Sequence, residues 1–75
     1  MTERTAADIG AQVRALVDEL AAWPDPSGFT ELLALSEHVG VGLGTAARTL
    51  AEGGSWSQVA SHAGTSKQAA WSRWH

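Results

Sequence analysis

Few residues in this chain could do chemistry, and most of the familiar constellations are missing. His38, His62 and His75 lack metal-ligand spacing, and no cysteine or paired acid joins them, so no metal site is expected. Serines are plentiful, but none is accompanied recognisably by a general base and an orienting acid. Gly40-x-Gly42-x-Gly44 invites a nucleotide-loop reading. It follows a helical pattern rather than a strand, however, and 75 residues cannot hold the alternating fold that such a loop needs. The expectation is therefore no enzyme, no catalytic residue and no bound cofactor. The remaining candidates are polar and cationic side chains suited to recognition, and they gather at one end of the chain. They are Ser57, Gln58, Ser66, Lys67, Gln68, Ser72 and Arg73, with Trp71 among them.

Charge separates that end from the rest. The whole chain carries a net charge of −3, which by itself argues against a polyanionic partner. Residues 1–54 hold all eight acids and three bases (Arg4, Arg14 and Arg48), a net −5. Residues 55–75 hold Lys67 and Arg73 and no acid, a net +2 before any histidine protonates. Only this tail would not repel a phosphate backbone. Two bases are few, so one copy should bind weakly and pairing two copies would help.

The tail also has the spacing of a helix-turn-helix. Such a unit needs a small residue where its two helices cross, and a residue tolerant of a left-handed backbone four positions later. Ala60 and Gly64 meet these requirements, with Val59 beside the small residue and Ala63 expected to face inward before the turn. Ala70 and Trp74, one turn apart, form the inward stripe of the second helix, and Trp56 closes the core from the other end. Trp71 falls off that stripe. DNA, a second subunit or the N-terminal helices could each claim it.

The segment Ser55-Trp56-Ser57-Gln58-Val59-Ala60, followed by Gly64-Thr65-Ser66-Lys67-Gln68-Ala69-Ala70-Trp71-Ser72-Arg73-Trp74, resembles the helix-turn-helix of small actinobacterial and phage-type DNA-binding regulators. The resemblance covers about residues 53–74, and Thr65 stands where that pattern usually has an apolar residue. It implies a second helix (66–75) that enters the major groove of double-stranded DNA and regulates transcription. On that reading Gln68 pairs with adenine, and Lys67 reaches guanine or phosphate. Ser66, Ser57 and Gln58 would contact phosphates, with Ser66 at a helix start. Trp71 would pack on a thymine methyl or a sugar, Ser72 would share the outward face with Gln68, and Arg73 would clamp the backbone.

Elements must position these groups, and the composition favours helices. Apolar residues make up 44% and charged residues 17%, with alanine abundant and Val and Ile few. The spacing predicts a first helix over 5–23, with Thr5 and Asp8 as a capping box, Ile9, Val13, Leu16, Val17 and Leu20 as its apolar stripe, and Trp23 sealing its end. Pro24-Asp25-Pro26-Ser27-Gly28 stops it. A second helix is expected over 29–39 with Gly40 as its stop, then a glycine joint, then a third helix over 43–52 carrying Leu43, Ala46, Ala47 and Leu50 inward. Gly53-Gly54 ends that helix, and Ser55 caps a short helix that Gly64 breaks. Thr65 or Ser66 caps the last one.

The fold class expected is all-α: one domain over 1–75, about five short helices, with a C-terminal helix-turn-helix in a trihelical core spanning 43–75. The helical pair over 5–39 either packs across 29–50 or pairs with its copy, and a homodimer through it is the favoured expectation. An alternative role is a helical module that docks on, or antagonises, another regulator. No run is long enough to span a membrane and no signal peptide is evident, so a cytoplasmic location is expected. A chain that ends on its recognition helix could also be a piece of a longer protein.

Overall fold

The computed structural model describes residues 3–75, and the chain is all-α. The described residues form four helices, α1 (Ala6–Ala21), α2 (Pro26–Gly53), α3 (Trp56–Ala63) and α4 (Lys67–Trp74), and no strand. The chain divides into two compact units, Met1–Ser36 and Glu37–His75.

In the first unit α1 opens on a complete capping box. Thr5 Oγ1 accepts from the Asp8 amide at 3.2 Å, and Asp8 Oδ2 accepts from the Thr5 amide at 3.0 Å. Two amides that no helical carbonyl can reach are thus satisfied reciprocally. The helix ends at Ala21, two residues short of the expected end, and the Trp23 amide donates to the Leu20 carbonyl at 3.1 Å. Of its apolar stripe, Val17 and Leu20 are half-buried, whereas Ile9, Val13 and Leu16 stay 42%, 45% and 58% exposed.

The second helix corrects the sequence reading at both ends of its expected span. It starts at Pro26 rather than Phe29, because Asp25 is its cap: the Ser27 amide donates to Asp25 Oδ1 at 2.8 Å. Proline is well suited to the first helical position, where its missing N–H would have had no partner. Gly28 packs against the end of α1, where an added Cβ would lie 2.4 Å from the Leu20 carbonyl oxygen and 2.6 Å from Trp23 Cβ. Only glycine fits there.

The expected stop at Gly40 and the glycine joint do not exist. One helix of 28 residues runs through Gly40, Gly42 and Gly44, so the described residues form four helices rather than about five, and this one is long. A helix-ending glycine takes positive φ, and Gly64 is the only described residue that does. Each glycine costs about 1 kcal/mol relative to alanine in a helix interior, a penalty that leucine- and alanine-rich flanks outweigh once the helix is propagating.

In the second unit the core is small. Ala47 from α2, Val59 and Ala60 from α3, and Ala70 from α4 are buried, with Ala51, Trp56 and Trp74 packed partly buried against them. Three of the four central residues are alanines, and Ala60 and Ala70 let α3 and α4 approach closely, while the two indoles supply most of the apolar area at the rim. Of the α2 residues expected inward, only Ala47 is buried. Leu43, Ala46 and Leu50 are exposed, as is Ala63. They share the walls of an open, mainly apolar groove of about 230 Å³ with Val59, His62 and Trp74. The core saturates because α3 and α4 are only eight residues each and cannot cover a wider strip of α2.

Candidate nucleic-acid interface

Both short helices are capped by serine, and this fixes where their first turns begin. Ser55 Oγ accepts from the Gln58 amide at 3.2 Å, and Ser66 Oγ accepts from the Ala69 amide at 3.1 Å. The two serines have extended backbones, as a cap requires. Between the helices the chain reverses at Gly64, with φ 69° and ψ 34°. This is the left-handed region, where a side chain would be strained. The Gly64 amide donates to the Ala60 carbonyl, and the Thr65 amide donates to the same oxygen at 3.0 Å.

Ala60 and Ala70 are both buried, Ala70 completely, and they set the inward faces of α3 and α4. Helical periodicity then turns Gln68 and Ser72, one turn apart, to the outward face of α4. Lys67, Gln68, Ser72 and Arg73 are exposed, as are Ser57 and Gln58 on the first turn of α3. Ser66 is exposed too, but its hydroxyl is engaged as the cap, which leaves it one donor for anything outside. The Gln58 side chain folds back over Gly54.

Trp56, Trp74 and Trp71 take the places their spacing predicts, whereas Trp23 stays 53% exposed rather than sealing the end of α1. Trp56 and Trp74 border the core, and Trp23 lies against the Gly28 turn. Trp71 is 49% exposed and stacks on His75, with ring centroids 3.8 Å apart and planes within 4°. His75 Nδ1 also meets the Trp71 carbonyl oxygen, and the His75 amide donates to that oxygen at 3.0 Å. The Arg73 guanidinium sits 5.0 Å from the centre of the Trp74 ring, a cation–π distance.

No protein-family model, curated protein or solved structure matches this chain.

Arg48 was not among the expected site residues, yet it reaches α4. Its Nη1 donates to the Trp74 carbonyl oxygen at 2.9 Å. A partner 26 positions away leaves no local sequence signal. Among the described residues no group of three or more His, Asp or Glu side chains is placed to hold a metal ion. No described helix is long and apolar enough to cross a membrane.

Proposed function

We propose that this protein is a transcriptional regulator that binds double-stranded DNA through a helix-turn-helix made of α3 and α4, with α4 entering the major groove. The observation that carries the reading is the left-handed Gly64 between two serine-capped helices whose small residues, Ala60 and Ala70, are buried. That arrangement leaves Gln68 and Ser72 outward on a helix bearing Lys67 and Arg73 and no acid. Gln68 can donate to and accept from one adenine edge, and Lys67 and Arg73 supply charge for guanine or phosphate. Ser57 and Gln58 offer donors at the start of α3, and Trp71 offers an apolar face for a thymine methyl or a sugar.

We place the protein as a homodimer in this role, because the Ile9–Val13–Leu16 stripe of α1 is uncovered and two bases per copy are too few for tight binding. The apolar groove beside Leu43, Leu50 and Trp74 favours a second reading, a module that docks on another regulator.

Recovery of bound genomic fragments separates the two readings, with Gln68→Ala as the control. The DNA reading expects enriched sites for the native protein. Gln68→Ala should cost about 1–3 kcal/mol and relax the preference at one base pair, and Lys67→Ala should weaken all sites alike, both with an unchanged helical spectrum. Absence of any enriched site defeats it. Docking would ignore those two substitutions and be lost instead with Leu43→Asp or Leu50→Asp in the groove.

A further inference from the structure

The last carbonyl groups of a helix have no partner within the helix. In α4 one of them, the Trp74 carbonyl, is bonded to the Arg48 guanidinium of α2 at 2.9 Å. A cation at this end also meets the negative pole of the helix dipole. The guanidinium lies beside Gly44, one turn earlier on α2, and Gly44 is buried. A Cβ at position 44 would stand 3.1 Å from Arg48 Nη1, closer than side-chain carbons ordinarily pack. No backbone torsion demands glycine there, since Gly44 does not take positive φ. The space beside it is filled by the arginine.

We infer that Arg48 and Gly44 together position α4: Arg48 holds the helix at its C-terminal end, and residue 44 lacks a side chain so that the guanidinium can lie flat and reach. Eight residues are too few for a helix to persist in water unaided, and Ala70 is the only fully buried side chain of α4. The helix is therefore tied at two ends, by the Ser66 cap and by Arg48. These ties set the direction in which Gln68 and Ser72 point. The consequence for DNA rests on the function proposed above, whereas the positioning itself does not.

The test uses the full chain and its Arg48→Gln, Arg48→Lys and Gly44→Ala variants. Amide hydrogen exchange is followed residue by residue, alongside binding to a random-sequence 20-base-pair duplex. Gly44→Ala is the informative variant because it keeps every charge and improves the helix propensity of α2. If residue 44 only served α2, protection would rise or hold throughout. Positioning instead requires protection of the α4 amides to fall about two- to fivefold in both Gly44→Ala and Arg48→Gln, the effect of a cation at a helix end. The α2 amides should gain protection in Gly44→Ala. The double variant Gly44→Ala/Arg48→Gln should be no worse in α4 than Arg48→Gln alone, since both changes act through one contact. Arg48→Lys, which keeps the charge without the planar fork, should fall between. Duplex affinity should drop in Gly44→Ala with the same salt dependence as the native protein. Unchanged α4 protection in both single variants overturns the positioning role. A native protein that ignores the duplex defeats the DNA reading instead and leaves the exchange result to decide the positioning.

Discussion

Single side chains decide where each helix of this protein begins. Thr5, Asp25, Ser55 and Ser66 each accept a backbone amide that the helix cannot satisfy internally. Asp25 is the one whose ionisation is tuned. The Ser27 hydroxyl, and after it the Ser27 amide, hold its carboxyl below the usual 3.8. A carboxylate lowered on folding adds stability that is present above its unfolded value and disappears as pH falls through the folded value. The cap of α2 should therefore persist at pH 3.8 and fail below it. NMR titration of the Ser27 and Gly28 amides should show a midpoint under 3.8, and Ser27→Ala should move the Asp25 midpoint upward. A midpoint at or above 3.8 in the native protein would refute this account of the cap.

At the scale of elements, the glycines of α2 make the sharpest test. Gly40 and Gly42 have nothing within 4 Å of where a Cβ would be, and neither takes positive φ. Alanine at either position should stabilise α2, by about 1 kcal/mol each from helix propensity alone. Thermal or urea unfolding of Gly40→Ala and Gly42→Ala checks this. Destabilisation would mean that these residues form the flexible joint that their spacing suggests. Gly28 is the opposite case, because a Cβ there would strike the Leu20 carbonyl. Glycines in a sequence thus carry different meanings, and the neighbouring backbone decides which one applies.

For the whole molecule, the prediction concerns copy number. α1 has no buried residue, and its exposed Ile9, Val13 and Leu16 form a continuous apolar stripe. Sedimentation equilibrium should find a dimer that Leu16→Asp converts to monomer while the helical spectrum stays native. A native protein that remains monomeric at high concentration, alone and with DNA, would sink the proposal. Salt dependence gives an independent count. Two bases per tail, doubled in a dimer, predict that log affinity for a duplex falls with log salt at a slope of about −3 to −4, against about −2 for a single copy.

Much of this arrangement was legible in the sequence because it is local. Caps at Thr5 and Ser55, a cap at Thr65 or Ser66 that the structure assigns to Ser66, the break at Gly64 and the inward stripe of Ala70 and Trp74 depend on residues within one or two turns of each other. The exposed position of Trp71 follows from the same periodicity. Asp25-Pro26 also carried a legible start signal, a capping residue before a proline, but two prolines together read more readily as a stop. Three features were left to the tertiary structure. The glycine run is helical because a glycine ends a helix only when its φ turns positive, and composition does not report φ. Leu43, Ala46 and Leu50 have the right period for a core but line an open groove, because α3 and α4 are too short to cover them. Arg48 meets α4 through a contact that only folding creates. The sequence by itself determined where α1, α3 and α4 begin, the break at Gly64 and the inward stripe of Ala70 and Trp74, because each is set within one or two turns of chain. Three-dimensional packing decided how much of each face is covered and which distant group closes the end of α4, since burial and long-range hydrogen bonds depend on what arrives from elsewhere in the chain.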